Sequence, residues 1–269
     1  MARALPFATL VFAQGGPPLL TDDPGTPGNR NWEINVASMP LFSNGGREIQ
    51  APLLDINYGW GERIQLKYQT AYFFDSDGGG PYRGAVDNSL LGVKWRFYQQ
   101  SGEGGWNIST YPQLELNNPD NAYDRGLVER GPRFLLPVEI SKVFGPIEVN
   151  LEVGYWFISH MSHDKILGLA IGRQFTKNFE GLAEIYDGPV LGEGLRAMTA
   201  NVGGRYEFHT GPRCNLLFIF MAGRSPLSTG GNPSARPSFI GYFGLQMQIK
   251  GGPRHRAPNR TRGRSIQNP

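Results

Sequence analysis

From Leu53 to Phe74 apolar and polar side chains alternate. Leu54, Ile56 and Tyr58 interleave with Asp55 and Asn57, and Ile64, Leu66, Tyr68 and Tyr72 interleave with Arg63, Gln65, Lys67 and Gln69. A period of two gives each arm one oily and one polar face, which predicts two strands. Gly59-Trp60-Gly61-Glu62 supplies the turn, since glycine tolerates the backbone angles a tight turn needs. The apolar positions are even-numbered on both arms, and directly opposed residues share a face. Paired residue numbers must therefore sum to an even total. The simplest such register sets Tyr58 opposite Ile64, Asn57 opposite Gln65, Ile56 opposite Leu66 and Asp55 opposite Lys67.

The same alternation recurs along the chain. Trp32, Ile34 and Val36 interleave with Glu33 and Asn35, and Leu91, Val93, Trp95 and Phe97 with Gly92, Lys94 and Arg96. Ile147 to Phe157, with Glu148, Asn150 and Glu152 between the apolar residues, is the clearest case. Met198 to Phe208 and Phe239 to Ile249 follow suit, and Pro112 interrupts one ladder and predicts a bulge there. Leu216 to Met221 is an unbroken apolar run. Asp75–Asp87 and Asn117–Gly131 read as long polar loops. The pattern predicts about twelve strands of ~9–13 residues, long enough to cross a bilayer at a tilt.

Loop lengths separate the possible all-β folds. Connections near residues 60, 103, 145, 177 and 211 are short, and those near 81, 124, 162, 190 and 230 are mostly longer and polar. Short turns at one rim and long loops at the other are the layout of a closed antiparallel transmembrane β-barrel. A soluble sandwich has no reason to segregate them so. In a barrel, charges opposite the oily ladders face the lumen. The lumen-facing candidates are Asp55, Asn57, Gln65, Lys67, Lys94, Arg96, Glu139, Glu148, Glu152 and Arg205. Confined carboxylates need matching cations, so Glu139, Glu148 and Glu152 call for Arg133, Arg173 or Arg205 nearby. Tyr58, Trp60, Tyr68, Tyr72, Trp95, Trp106, Tyr155 and Trp156 lie near predicted strand ends, where aromatic girdles form.

Composition sharpens this. Charged residues make up only 18% of the 269, while aromatics reach 12% and glycine 37 residues. No run of about 18 apolar residues exists, which excludes a spanning helix and leaves the barrel. The formal net charge of +3 is partly an end effect. Residues 251–269 form a basic tail rich in Gly, Pro and Asn, read as disordered and solvated rather than as a nucleic-acid contact. Residues 1–13, with Arg3 and an apolar run from Leu5 to Ala13, read as a signal peptide cleaved after Ala13. Residues 14–30 form a periplasmic or plug-like segment, in which Asp22-Asp23-Pro24 marks a turn, and the barrel is predicted over 31–250.

Little in the chain suggests catalysis. His160-Met161-Ser162 resembles the His-x-Ser spacing of outer-membrane lipid hydrolases, and Asp164 lies close by. A serine nucleophile needs a base within hydrogen-bond reach and a group that orients that base. Two short residues in a loop also pair by chance, so the preferred reading is loop. His160, His163 and Asp164 lack a fourth metal ligand. Cys214 is the sole cysteine, which rules out an internal disulfide and a cysteine cage. No cofactor is expected.

The stretches Pro17 to Pro24, Asn31-Trp32-Glu33-Ile34-Asn35 and Pro52 to Gly59, with Leu66-Lys67-Tyr68, resemble the start of outer-membrane barrels of the meta-pathway phenol-degradation family. Leu136-Pro137-Val138-Glu139, Gly154-Tyr155-Trp156 and Leu217 to Arg224 are similar to later strands of that family, so the resemblance spans roughly Gly15 to Ile249. It implies an outer-membrane location and passive movement of small hydrophobic or aromatic solutes. It also implies outer-membrane lipids and the outer-membrane assembly machinery as partners, with no nucleic acid. Two rival readings stand beside it: a lipid hydrolase using Ser162 and His160, and a structural barrel without cargo. Family barrels end on an aromatic residue of the last strand, whereas here the chain continues past Ile249.

Overall fold

The structure is a computed structural model that describes residues 16–77, 79–102, 104–119, 122–158, 163–189, 196–209, 211–226 and 236–252. The predicted signal peptide, the tail beyond residue 252, and His160 and Ser162 lie outside the described residues. The strand segments are β1 (Trp32–Ser43), β2 (Gly46–Trp60), β3 (Ile64–Asp77), β4 (Arg83–Val86), β5 (Ser89–Gln99), β6 (Trp106–Thr110), β7 (Gln113–Leu116), β8 (Arg133–Phe144), β9 (Ile147–Ile158), β10 (Asp164–Gln174), β11 (Phe179–Pro189), β12 (Arg196–Phe208), β13 (Cys214–Arg224) and β14 (Pro237–Ile249). There is no helix among the described residues.

Fourteen segments make twelve staves. β4 and β5 both pair with β3, and β6 and β7 both pair with β5 and β8. All neighbours are antiparallel, and β1 pairs with β14 from Trp32↔Ile249 onward, which closes the sheet. Closure removes the edges that would otherwise leave backbone groups unpaired in lipid.

Three local expectations change. The opening hairpin pairs Trp60 with Ile64, Tyr58 with Leu66, Asn57 with Lys67 and Asp55 with Gln69. The parity holds, but the register is two residues away from the simplest one. The loop is only Gly61 to Arg63, with Gly61 in the left-handed region at φ 69°. Pro112 creates no bulge. Trp95↔Thr110 and Gly92↔Gln113 belong to one register, and the Pro112 carbonyl still accepts from Val93 N at 3.0 Å. The bulge sits at Phe97 instead. Within the stretch read as a loop from Asp75 to Asp87, β3 continues to Asp77 and β4 follows. The pairing with β3 shifts by one between β4 and β5, at Asp87 and Asn88. Such an insertion re-aims side chains.

The faces separate cleanly. Outside, Leu66, Val93, Val153, Leu167, Leu169, Ile185, Val202 and Leu245 are exposed, forming an apolar belt. Inside, Asn35, Asp55, Lys94, Glu139, Glu152, Asn201 and Gln246 are each at most 3% exposed. The inner face is not uniformly polar. Leu217, Ile219 and Met221 of β13, Ile240 and Tyr242 of β14, and Met39 and Leu41 of β1 form a buried apolar sector. β13 is thus apolar on both faces, which explains its unbroken apolar run.

Candidate functional site

Part of the lumen is occupied by the chain itself. Asn31 leads into β1 at the short-turn rim, and residues 16–30 turn back from it into the barrel. Arg30 N donates to Gly59 O at 2.7 Å, and Gly59 N donates to Asn31 O at 2.9 Å. The approach is so close that a Cβ on Gly59 would lie 1.8 Å from the Gly28 carbonyl oxygen. Deeper in, Thr21 lies against Gly168, where an added Cβ would stand 2.4 Å from its hydroxyl oxygen. Two glycines in the wall therefore make room for the segment.

Inward charges anchor it. Glu184 accepts from Leu20 N at 2.9 Å and Thr21 N at 2.8 Å, and Glu152 accepts from Asp22 N at 2.8 Å. Lys94 is 2.7 Å from the Asp22 carboxylate and also donates to the Asp23 carbonyl. Arg205 donates to Pro17 O at 2.7 Å and Gly16 O at 3.1 Å. Carboxylates on amides and cations on carbonyls satisfy backbone groups that would otherwise be buried unpaired. Burial opposes the charge of both aspartates in the segment. At Asp22 the ammonium of Lys94, with Lys67 behind it, outweighs burial and holds the carboxyl below its usual range. At Asp23 burial prevails, reinforced by the charge of Asp22, and the carboxyl titrates above its usual range.

The candidate residues take these places. Asp55, Asn57, Gln65, Lys94, Glu139, Glu148, Glu152 and Arg205 are buried, and Lys67 and Arg96 are half-buried. Asp55 and Lys67 form an ion pair at 3.7 Å although they are not directly opposed. Asp55 also accepts from Asn35 at 3.1 Å and Asn57 at 3.1 Å, and Gln65 donates to Asn57 at 2.7 Å. Arg96 donates to the Glu62 carbonyl at the short-turn rim. The cations expected beside the glutamates are placed otherwise. Glu139 meets Lys94 at 3.6 Å, Arg205 pairs with Glu180 at 3.2 Å and Arg133 with Glu115 at 3.4 Å. Arg173 points outward and is exposed, because it shares the parity of Leu169 and Ile171. Glu148 Oε2 is buried with no hydrogen-bond partner.

Beyond the segment, toward the long loops, the lumen widens into a cavity of about 270 Å³. One wall carries Leu20, Leu135, Ile166, Tyr186 and Trp156, and the other Gln50, Asp87, Asn88, Glu115 and Arg133. Trp156, expected in an outer girdle, instead faces this cavity with the Arg133 guanidinium 5.0 Å from its ring centre. Arg133 is 6% exposed, and its Nε lacks a hydrogen-bond partner. Asp87 accepts from Gln50 at 2.5 Å. Burial, reinforced by Glu115, pushes its carboxyl up to about 6. His163 accepts from Ile158 N at 3.2 Å and packs against Tyr155 and Phe157, a loop-closing role. No group of His, Cys, Asp and Glu suited to a metal ion occurs among the described residues.

Glu180, Glu184, Asp87 and Trp156 were not among the lumen-facing candidates, and Arg133 was expected only as a cation beside the glutamates. Gly59 and Gly168, glycines inside otherwise regular ladders, were the available signal.

No protein-family profile matches the chain. No curated protein matches it either. Solved structures do resemble it. An outer-membrane channel from Pseudomonas putida F1 superposes with a TM-score of 0.55 at 12% identity, covering 85% of this chain and 97% of that one. The NanC porin gives 0.47 at 10% identity, covering 81% and 99%. The CymD monoaromatic hydrocarbon channel gives 0.39 at 8%, covering 84% and 90%. The likeness to the first is one of fold. With its belt, its closed wall and its two unlike rims, the chain is an outer-membrane β-barrel.

Proposed function

We propose that this barrel is a passive channel for small aromatic solutes that carry one polar group, and that it performs no chemistry on them. The two-sided cavity above the N-terminal segment carries the reading. Its apolar wall suits a ring, and Trp156 stacked under Arg133 suits a ring with an acceptor substituent. The unpartnered Arg133 Nε is a donor awaiting an acceptor. Met39 and Leu53 line the cavity and also belong to the apolar sector, offering an oily track along one side of the lumen. The motifs resembling the meta-pathway phenol-degradation barrels agree with this solute class, and the fold shared with an outer-membrane channel agrees with passage through the wall.

The test is solute entry into liposomes carrying the purified barrel. A phenol-type solute should enter faster than a sugar of similar size, and Trp156→Ala with Arg133→Gln should remove that preference while the barrel stays heat-modifiable. Equal entry of ring and sugar would overturn the reading. A barrel that passes neither, even after the N-terminal segment is removed, would make it a structural barrel without cargo.

A further inference from the structure

On its outer surface near the short-turn rim the barrel carries a second concavity, of about 350 Å³. Ile147, Ile171, Phe175 and Phe179 form its flanks, and Gly181 and Ala183 its floor. The floor is low for a reason: an added Cβ on Gly181 would lie 2.6 Å from the Phe175 ring, which stacks on Phe179 at 6.1 Å. One cation lines the groove and a second stands beyond its Ile147 flank, on β8. Arg173 lies 5.3 Å from the Phe175 ring centre. Lys142, on an outward position of β8, lies 4.5 Å from the Trp106 ring centre and 5.2 Å from that of Phe144. β9 alone separates their strands, roughly 10 Å in all. No acid faces them. The outward residues around them are Ile140, Phe144, Ile147, Val149 and Ile171, and no salt bridge to either cation is present among the described residues. Unpaired cations at aromatic-girdle height, beside a smooth apolar trough, present the chemistry of one class of neighbour.

We propose that this groove binds one anionic phospholipid of the inner leaflet of the outer membrane. An acyl chain lies along the Gly181-Ala183 floor, and the headgroup phosphate sits between Arg173 and Lys142. The leaflet follows from the rim, since short turns mark the periplasmic side of such barrels. The aromatic rings hold the cation stems at the height of the headgroups.

Native mass spectrometry of the barrel, released from nanodiscs of mixed phosphatidylglycerol and phosphatidylcholine, tests this. The wild type should retain one phosphatidylglycerol in preference to phosphatidylcholine. Arg173→Gln and Lys142→Gln should each weaken retention about fivefold, the usual worth of one interfacial cation. Ala183→Phe should abolish retention of a diacyl lipid while leaving the cations in place. Lys165→Gln, which removes an exposed cation near the opposite rim, should change nothing. Heat-modifiable migration of each variant in detergent gels confirms that it is assembled, and the two charge variants keep the test open if Ala183→Phe fails to assemble. Equal retention of both lipids overturns the proposal, as does retention unchanged in both charge variants. A lipid-free wild-type dimer would show instead that the groove seats a second copy of the chain.

Discussion

The lumen wall has two sectors that handle burial in opposite ways. Across β13 and the halves of β14 and β1 away from Asn35 and Gln246, the inward residues include Ile219, Met221, Ile240 and Leu41, each at most 1% exposed. Across β5, β8, β9, β11 and β12 they are Lys94, Glu139, Glu152, Glu184 and Arg205. The first sector gains from removing apolar area from water and requires no particular partner. The second gains little from burial itself. Its ions are tolerable because each meets an opposite charge or a backbone group of residues 16–30. One sector supplies cohesion, and the other positions the segment that fills the lumen. Damage should therefore read out differently in the two.

Lys94→Met should have the largest effect. It removes the cation that touches Asp22 and Glu139 and leaves a buried and a half-buried carboxylate without it. Truncating one member of such a group costs about 3–5 kcal/mol. Detergent-gel migration should shift to unfolding at a lower temperature, and conductance in planar bilayers should rise as residues 16–30 lose their central anchor. A variant with wild-type conductance would show that Glu152, Glu184 and Arg205 suffice to hold the segment.

Ile219→Ala is the mirror test in the apolar sector. Ile219 is 0% exposed, in the same cluster as Leu19 of the N-terminal segment. A buried isoleucine cut to alanine costs about 2–5 kcal/mol, so thermal stability should fall by an amount approaching that of Lys94→Met. Conductance should barely move, because every polar anchor of the segment stays in place. If both variants opened the pore equally, the division of labour between the sectors would be wrong.

The sequence was most informative where one periodicity governs a whole element. Ile147 to Phe157 reads as a strand with a wet and a dry face, and β9 is that strand. It was less informative where two registers satisfy the same parity. Pairings summing to 122 or 124 keep Leu54, Ile56 and Tyr58 on one face, and only the compact turn at Gly61 selects the second. It was silent on the partners of the inward charges. Lys94 and Glu139 sit on staves separated by the one that β6 and β7 form, 45 residues apart in sequence, and Asp22 reaches the same ammonium from a third direction. Alternation says which way a side chain points, not what stands opposite once the sheet has closed. Arg173 shows the limit in reverse: the glutamates called for a cation, but its parity sends it to the lipid.

The smallest expected effect lies in the cavity above the segment, at Asp87. The shift between β4 and β5 turns Asp87 toward the cavity, and burial, reinforced by Glu115, holds its carboxyl at about 6. A raised carboxylate takes up its proton as pH falls through that value. Below about 6 the cavity therefore carries one negative charge fewer, and above it the charge returns. Arg133 lines the same cavity and attracts an anionic ring at both pH values. An aromatic sulfonate, whose own charge is constant, should enter a few-fold faster at pH 5 than at pH 8, roughly the worth of removing one like charge several ångströms away. A neutral phenol-type solute should show no such dependence. Asp87→Asn fixes the side chain uncharged, so it should give the fast rate at both pH values and erase the difference. If the pH dependence survived that substitution, Asp87 would not be its source.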